Sequence, residues 1–543
     1  MQGMMMHKPL RISDILTYAA EVHPTGEIVS ARTEGDIHRQ TYPQALARVS
    51  QLAHALQAQG IGMGDRIATL AWNGYRHFEL YYAVSGIGAV CHTINPRLSA
   101  EQLIYIVNHA EDRMIFVDTT FVPILEAVKE HLPSDMTYVV MTDRAHMPEN
   151  ALDALCYEEL LEGQPTEMDW PEFPEDTAAG LCYTSGTTGN PKGALYTHRS
   201  TVLHALMIAL VQGSVFEEGV SVLPVVPLFH VNAWGLPYSA PLIGLTLVMP
   251  GPALDGPSLF KLMDQEEVYS AWGVPTVWLG LLAEIKAQGR LPKGFGDVVV
   301  GGSAAPRSMI ETFEKHGVNV GHAWGMTEMS PIGTHGNMPP AVQTLPFDEM
   351  IDMKSKQGRR AFGVDLKIVD DEGNRLPHDA QAVGELYVRG NTIVSGYFSN
   401  EEATTKAMDP EGWFGTGDIA SITPDGILSI QDRSKDLIKS GGEWISSIDL
   451  ENAAMSHPAI GSCAAIAMPH PKWDERPVLV AVAAGAERPS LEEMHAHMDE
   501  HFAKWQLPDD LVWVEDLPLT ATGKVSKLTL RQKFADYILP DLR

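Results

Sequence analysis

The segment 183–193, with the sequence Tyr-Thr-Ser-Gly-Thr-Thr-Gly-Asn-Pro-Lys-Gly, combines the groups that bind phosphate. Its three glycines let the backbone turn tightly and present N–H groups to phosphate oxygens, four Ser and Thr hydroxyls add donors, and Lys192 adds positive charge. The segment is not a Walker A motif, because Lys192 follows Pro191 and precedes Gly193. We therefore expect a phosphate cradle directly after the apolar run 178–181.

Three further segments each carry one charged side chain in a context suited to a nucleotide. Glu328 follows a short apolar run, so its carboxylate is expected at the carboxyl end of a strand, where it could hold Mg²⁺ against phosphate oxygens. Asp418 ends Trp-Phe-Gly-Thr-Gly-Asp and could accept hydrogen bonds from a ribose diol. Lys524 follows Gly523 in a predicted exposed loop. Each of these residues alone does not indicate a nucleotide site, but their combination in this order does.

Helical and strand patterns alternate through the N-terminal part of the chain. Residues 42–59 place Leu46, Val49 and Leu52 at helical spacing, and residues 66–71 are typical of a buried strand. This alternation predicts a mostly parallel sheet with crossover helices.

Past Gly363 the pattern changes to short alternating segments separated by Asp-Glu-Gly and Pro-Asp-Gly, which predicts antiparallel hairpins. The C-terminal part returns to mixed helices and strands, including a predicted helix over 491–502. The expected fold class is α/β, with a large N-terminal domain (1–431) that includes a β-rich subdomain (363–431), a joint (432–436), and a smaller α+β C-terminal domain (437–543).

The net charge of −30, from 39 basic and 69 acidic residues in 543, argues against binding to nucleic acid or to anionic membranes. The stretch 221–254 contains no Asp, Glu, Lys or Arg, but its prolines would break a membrane helix, so we expect no integral membrane segment and a buried wall around an apolar ligand. Four scattered cysteines, and no apolar leader at the start, favour a cytoplasmic location.

Taken together and in order, these segments resemble the acyl-adenylate-forming superfamily of acyl-CoA synthetases, adenylation domains and luciferases, over nearly the whole chain. The stretch 432–446, Asp-Arg-Ser-Lys-Asp-Leu-Ile-Lys-Ser-Gly-Gly-Glu-Trp-Ile-Ser, looks most like the medium- and long-chain fatty acyl-CoA synthetases, in which a tryptophan replaces the arginine of many relatives at position 444. His-Pro-Lys-Trp then follows at 470–473.

The resemblance implies that a carboxylic acid, ATP and coenzyme A (CoA) give acyl-CoA, AMP and pyrophosphate through an acyl-adenylate, with Mg²⁺ as cofactor. The implied acid is a medium-chain fatty acid or a short thioether acid such as 3-methylmercaptopropionate. A homodimer is the assembly that the long-chain relatives suggest.

The resemblance also implies a role for each matching residue. Lys524 and His230 are the implied catalytic residues, and Thr184 and Glu328 the implied Mg²⁺ ligands. The acyl pocket would include Val231, Gly301 and Trp234, the last resembling a gate. Trp324 replaces a common tyrosine, so stacking on adenine is kept and a hydroxyl is lost. The implied ATP and AMP contacts are Thr184, Ser185, Gly186, Thr187, Thr188, Gly189, Lys192, Gly302, Ser303, Ala304, Trp324, Gly325, Met326, Thr327, Asp418 and Arg433. The implied hinge and CoA contacts are Lys435, Lys439, Gly441, Gly442, Glu443 and Trp444.

The two steps need different groups at one carbonyl carbon, because the CoA thiol must enter the space that the adenylating lysine occupied. We therefore expect the smaller domain to be mobile and to rotate about 432–435, withdrawing Lys524 and delivering the loop at Gly441 and Gly442.

Two alternatives stay open. An adenylating ligase could pass the acyl group to a carrier protein or act on an aryl acid, although the absence of a carrier domain before Arg543 favours free CoA. A non-catalytic acyl-adenylate or nucleotide sensor is disfavoured by the intact Lys524, Glu328 and phosphate loop.

Overall fold

The computed structural model describes residues 1, 3–184, 190–441, 443–499, 502–520 and 524–542. The strands are β1 (Glu27–Ala31), β2 (Ile37–Thr41), β3 (Arg66–Leu70), β4 (Val90–Thr93), β5 (Asp112–Val117), β6 (Thr137–Val140), β7 (Leu155–Cys156), β8 (Ala178–Tyr183), β9 (Gly193–Thr197), β10 (Ser221–Pro224), β11 (Thr246–Met249), β12 (Ser270–Gly273), β13 (Asp297–Val300), β14 (Asn319–His322), β15 (Trp324–Gly325), β16 (Ile332–His335), β17 (Arg359–Arg360), β18 (Val364–Val369), β19 (Gly384–Gly390), β20 (Phe414–Ile422), β21 (Leu428–Arg433), β22 (Ile438–Ser440), β23 (Glu443–Ile445), β24 (Ile460–His470), β25 (Asp474–Ala483) and β26 (Asp510–Trp513).

The α-helices are α1 (Ile12–Val22), α2 (Tyr42–Ala58), α3 (Tyr75–Gly86), α4 (Ala100–Ala110), α5 (Val122–Val128), α6 (Tyr157–Leu161), α7 (His198–Val211), α8 (Leu236–Ile243), α9 (Gly256–Gln265), α10 (Pro275–Gln288), α11 (Arg307–Lys315), α12 (Phe347–Lys354), α13 (Glu401–Ala407), α14 (Ser447–Met455), α15 (Leu491–Met498) and α16 (Lys527–Lys533). Helix α2 matches its predicted span, and it begins at a capping box formed by Thr41 and Gln44.

Two seven-stranded sheets form the bulk of the structure. The first has the order β7-β6-β5-β3-β4-β8-β9 and is parallel except for the β8–β9 hairpin. The second has the order β14-β13-β12-β10-β11-β1-β2 and is parallel except for β1–β2. One apolar cluster contains residues of both sheets and of the helices next to them, including the buried Phe78, Tyr81 and Tyr82 of α3. The predicted α/β class is confirmed.

The carboxyl ends of the parallel strands carry the segments that the sequence selected. The loop after β8 begins at Thr184, residues 225–235 follow β10, Gly301 follows β13, and Ala323 follows β14. Because ligands of open α/β sheets bind at this edge, the topology places the selected segments on one side of the molecule.

The charge-free stretch 221–254 folds as β10, a short turn, α8 and β11, and nearly all of it is buried. Helix α8 has only eight residues and contains Pro241. Within the described residues, no helix is both long enough and apolar enough to cross a membrane.

The β-rich region is an antiparallel sheet of order β18-β19-β20-β21, in which Asp418 pairs with Arg433. The last sheet has the order β23-β22-β25-β24, with β26 alongside β25. The predicted helix over 491–502 was too long, because α15 ends at Met498; Phe502 still packs on the same apolar cluster, which extends the helical pattern of apolar residues.

Contacts on both sides of the predicted joint hold the last sheet against the rest of the chain. Asp432 Oδ2 accepts hydrogen bonds from Ser447 N (2.7 Å) and Ser447 Oγ (2.6 Å). Arg531 of α16 pairs with Asp436 at 2.6 Å.

Candidate active site

At the base of the phosphate loop, β8 and β9 pair antiparallel as far as Tyr183 and Gly193. Thr184 N donates to the Lys192 carbonyl oxygen (2.9 Å), and Lys192 N donates to Thr184 Oγ1 (3.3 Å). The ends of the loop are thus fixed at the sheet edge. Five of the predicted phosphate contacts, Ser185, Gly186, Thr187, Thr188 and Gly189, lie outside the described residues.

Tyr397 connects the lysine of this loop with the predicted metal ligand. Its hydroxyl donates to Glu328 Oε1 at 2.7 Å, and Lys192 Nζ lies 4.9 Å from the centre of its ring. Glu328 is buried, and burial raises its pKa, although the Tyr397 hydrogen bond and the charges of Arg433 and Lys192 oppose the shift. A nearby cation would stabilise the ionised form of this buried carboxylate. The sequence reasoning missed Tyr397, which belongs to none of the selected motifs.

Close backbone contacts in the turn that carries Glu328 account for the residue types just before it. A Cβ at Gly325 would collide with the Pro331 carbonyl oxygen, so only glycine fits. Met326 N donates to that same oxygen (3.1 Å), and the Thr327 carbonyl accepts from Tyr196 (2.5 Å). Glu328 therefore lies in a short helical turn after β15, close to the carboxyl end of the edge strand β14, as expected.

The predicted nucleoside residues form one hydrogen-bonded group. Trp324 Nε1 donates to Asp418 Oδ2 at 3.0 Å, and Arg433 Nε pairs with Asp418 Oδ1 at 2.9 Å. Burial raises the pKa of Asp418, whereas Arg433, Trp324 and Lys524 oppose this. The sequence predicted only stacking for Trp324; its indole N–H also orients the carboxylate predicted to bind ribose.

Lys524 belongs to the C-terminal part of the chain, but its side chain lies among residues that come earlier in the sequence. Gly302, with φ +83°, follows β13, and a side-chain carbon placed there would lie 3.8 Å from Lys524 Nζ. Ser303 and Ala304 follow, with Ser303 exposed. Burial, then the charge of Arg433, lowers the pKa of Lys524 to about 8, with Asp418 opposing. The structure thus brings Lys524 beside Gly302, Asp418 and Arg433.

His230 adjoins Lys524 at the carboxyl end of β10. Burial, and then the positive charge of Lys524, lowers the pKa of His230 to about 3, so its imidazole is neutral at physiological pH. A neutral imidazole can donate or accept a hydrogen bond but supplies no charge.

Trp234 lies against the predicted pocket residue Gly301. A side-chain carbon at Gly301 would lie 3.0 Å from Trp234 Cη2 and 3.3 Å from the Ala323 carbonyl oxygen, so glycine leaves room for the indole. Val231 is buried in the same turn. Trp234 therefore connects β10 with the ends of β13 and β14.

The predicted CoA-binding segment is exposed in this arrangement. Lys439 Nζ lies 4.6 Å from the Trp444 ring centre, and 47% of Trp444 is accessible to solvent. Gly441 N donates to the Trp473 carbonyl oxygen (2.8 Å). Glu443 and the predicted hinge residue Lys435 are also exposed, and Gly442 lies outside the described residues. Lys524 thus lies beside Gly302 and Asp418 while the described residues among the predicted CoA contacts face solvent.

Comparison with known proteins identifies the family of the chain. The profile of the AMP-binding enzyme family matches residues 16–398, and that of the AMP-binding enzyme C-terminal domain matches residues 449–524. A 3-methylmercaptopropionyl-CoA ligase from Ruegeria lacuscaerulensis is 50% identical over 542 residues, 99% of this chain and 99% of its own. A medium-chain-fatty-acid–CoA ligase from Ectopseudomonas oleovorans is 47% identical over 545 residues, 99% of this chain and 98% of its own.

The fold is also found in solved structures. The crystal structure of the anthranilate CoA ligase AuaEII in complex with anthranoyl-AMP superposes with a TM-score of 0.86 at 24% identity, covering 98% of this chain and 99% of that chain. The chain therefore belongs to the AMP-binding enzyme family and, within the acyl-adenylate-forming superfamily, to the AMP-forming acyl-CoA synthetases.

Proposed function

We propose that this acyl-CoA synthetase activates an apolar carboxylic acid, either a medium-chain fatty acid or a short thioether acid such as 3-methylmercaptopropionate. The main support for the proposed catalytic roles is the position of Lys524. This residue belongs to the C-terminal part of the chain, but its side chain lies near Gly302, His230 and Asp418. We take this group as the place where the α-phosphate of ATP and the carboxylate of the acid would meet.

The first step needs electrostatic stabilisation more than proton transfer. The acid is already ionised at pH 7, and its oxygen attacks the α-phosphorus of ATP, so two anions approach each other. The protonated Lys524 offsets the charge that builds up there, and Lys192 holds the phosphates that leave as pyrophosphate. The neutral His230 can donate a hydrogen bond to the acid without adding a charge.

Glu328 and Thr184 are suited to hold Mg²⁺. Both offer oxygen atoms, which Mg²⁺ prefers, and the carboxylate is buried and close to the phosphate loop. A bound Mg²⁺ would supply neutralisation of phosphate charge. Tyr397 would orient the Glu328 carboxylate for this purpose.

The acyl pocket is proposed between the turn that follows β10 and the end of β13. Val231, Trp234 and Gly301 present apolar surface, and each methylene buried there adds about 0.8 kcal/mol. The names of the two relatives, one acting on a short thioether acid and one on medium-chain fatty acids, support an acid of this range.

The thioester step is proposed to follow a rotation about 432–435. Lys524 would leave the reacting centre, and the hairpin of Lys439, Gly441, Gly442, Glu443 and Trp444 would take its place. The exposure of that hairpin while Lys524 occupies the site supports two alternating arrangements. The four buried free cysteines suit the proposed cytoplasmic location, and a homodimer stays a prediction.

A panel of linear acids of two to sixteen carbons, with thioether and aryl acids, tests the substrate. Pyrophosphate release and acyl-CoA formation are measured with ATP, Mg²⁺ and CoA, and a carrier protein replaces CoA in a parallel series. The proposal expects the highest kcat/KM on short thioether or medium-chain acids with free CoA. A maximum on aryl acids, or acyl transfer to the carrier protein alone, would contradict it.

A further inference from the structure

The turn at Val231, Asn232, Ala233 and Trp234 has an unusual backbone. All four residues have positive φ, at +47°, +52°, +48° and +55°, and Gly235 continues at +82°. L-residues rarely adopt this conformation because Cβ approaches the following carbonyl oxygen, and a β-branched residue such as Val231 is least suited to it. Consecutive residues of this kind persist only where surrounding contacts hold them.

Asn232 is the residue of the turn whose side chain is held by other elements. It is buried, its Oδ1 accepts a hydrogen bond from Cys182 Sγ (3.4 Å), and the same oxygen lies 3.2 Å from the Tyr81 hydroxyl, whose single proton it shares with the Leu228 carbonyl. Tyr81 belongs to α3 and Cys182 to β8. Asparagine also tolerates positive φ better than most residues, so one residue satisfies both requirements.

Cys182 contacts the turn through its backbone as well. Hydrogen bonding from Thr93 and from the backbone of Val231 and Asn232 opposes the rise that burial causes in the pKa of Cys182, and Thr93 Oγ1 lies 3.2 Å from its sulfur. Burial raises the pKa of Cys182 to about 11, so the thiol keeps its proton at pH 7 and can donate it to Asn232. Cys182 precedes Thr184, the first residue of the phosphate loop, by two positions.

The chain just before the turn is fixed by the same sheet. The Tyr81 hydroxyl donates to the Leu228 carbonyl (2.6 Å), and Thr93 Oγ1 donates to the Phe229 carbonyl (3.5 Å). The turn is therefore held by the first sheet and α3, whereas Trp234 at its end lies against Gly301 of the second sheet. A shift of the turn relative to β8 would move the indole within the acyl pocket.

We propose that Asn232 is a positioning residue whose side-chain oxygen, held by Tyr81 and Cys182, fixes the left-handed turn relative to β8 and thereby sets how deeply Trp234 closes the acyl pocket. The inference rests on the proposed acyl pocket. It assigns acid-length selectivity to a buried polar contact that touches neither the acid nor ATP.

Asn232→Gly is the decisive variant, with Asn232→Ala as its companion. Glycine keeps the backbone freedom that the turn needs but removes the oxygen, so a purely conformational role would be rescued by glycine and not by alanine. We expect both variants to change the ratio of kcat/KM between acids that differ by one methylene by about fourfold, the factor that one buried methylene supplies. The Kd for ATP, measured directly, should stay within about twofold. A wild-type length profile in Asn232→Gly would overturn the proposal.

A matched pair on α3 separates positioning from a general loss of stability. Tyr81→Phe removes the hydroxyl that is shared between Asn232 Oδ1 and the Leu228 carbonyl at the start of the turn, whereas Tyr82→Phe removes a neighbouring buried hydroxyl that donates to the Pro237 carbonyl (2.8 Å). Both should lower Tm by similar amounts, but only Tyr81→Phe should change the length profile. Equal profiles in the two variants would refute the inference, and these mild changes remain informative if Asn232→Gly folds poorly.

Trp234→Ala distinguishes this inference from the function on which it rests. If Trp234→Ala leaves the length profile unchanged, the proposed acyl pocket is wrong. If Trp234→Ala changes the acid-length profile while Asn232→Gly and Tyr81→Phe do not, the proposed acyl pocket is supported and the proposed role of Asn232 is wrong.

Discussion

The indole Nε1 of Trp324 donates a 3.0 Å hydrogen bond to Oδ2 of Asp418. The same carboxylate is paired through Oδ1 with Arg433. Both oxygens of Asp418 are thus held in place, so the aromatic residue predicted to stack on adenine would also prepare the proposed contact to a ribose.

Trp324→Phe should weaken ATP binding about tenfold, because phenylalanine keeps an aromatic face but removes the donor to a buried carboxylate. A hydrogen bond to a charged group contributes ~1.5–3 kcal/mol. We expect a loss of binding free energy at the lower end of this range, because Arg433 still holds the Asp418 carboxylate. Equilibrium titration with ATP measures it. Trp72→Phe, which removes an indole N–H bonded to Thr120 at the surface, is the matched control and should bind ATP normally.

Lys524→Ala should reduce adenylation by about 10²–10³-fold, the usual effect of removing one group that stabilises charge in the transition state. Thioester formation from preformed acyl-adenylate should stay near the wild-type rate, because the proposed rotation would withdraw Lys524 before that step. Pyrophosphate release and acyl-CoA formation report the two half-reactions separately. Lys533→Ala, an exposed change in the same region, should affect neither; equal losses of both half-reactions in Lys524→Ala would exclude alternation.

Tyr397→Phe should raise the Mg²⁺ concentration needed for half-maximal adenylation by about tenfold. The change removes the hydrogen bond that orients Glu328 and leaves the ring beneath Lys192 in place. Mg²⁺ titrations at saturating ATP measure the shift, with Tyr387→Phe, on the neighbouring strand β19, as control. An unchanged Mg²⁺ requirement would mean that Tyr397 does not position a metal ligand.

The residues that could be predicted from the sequence belong to short continuous motifs. Thr184, Lys192, Asp418 and Lys524 were singled out this way because glycine-rich loops and turns have recognisable local patterns, whereas Arg433 came only from the family resemblance. The structure brings Asp418, Arg433 and Lys524 together, and their roles stay predictions. The apolar spacing of Leu46, Val49 and Leu52 likewise predicted α2 nearly to its ends.

Contacts between distant segments could not be predicted in this way. Tyr397 and Glu328 are 69 positions apart, and the Asn232 contact joins residues separated by 50 and 151 positions. The positive φ of Val231 could not be predicted from the local sequence either, because β-branched residues rarely adopt this conformation. Such features depend on which strands become neighbours, and a single sequence does not show that.

Adenylation should lose rate as the pH rises through about 8, the value to which burial lowers the pKa of Lys524. Below that pH the ammonium group is protonated and offsets the charge of the reacting anions; above it the amine is neutral and this stabilisation is lost. The kcat/KM for ATP reports the free enzyme, so its profile should fall by a factor of ten per pH unit on the alkaline side. Pyrophosphate release without CoA is the measurement, because the thiol of CoA then does not contribute. Lys524→Arg should be slower but should keep its rate across this range, since a guanidinium stays charged. An alkaline fall that persists in Lys524→Arg would assign the titration to another group.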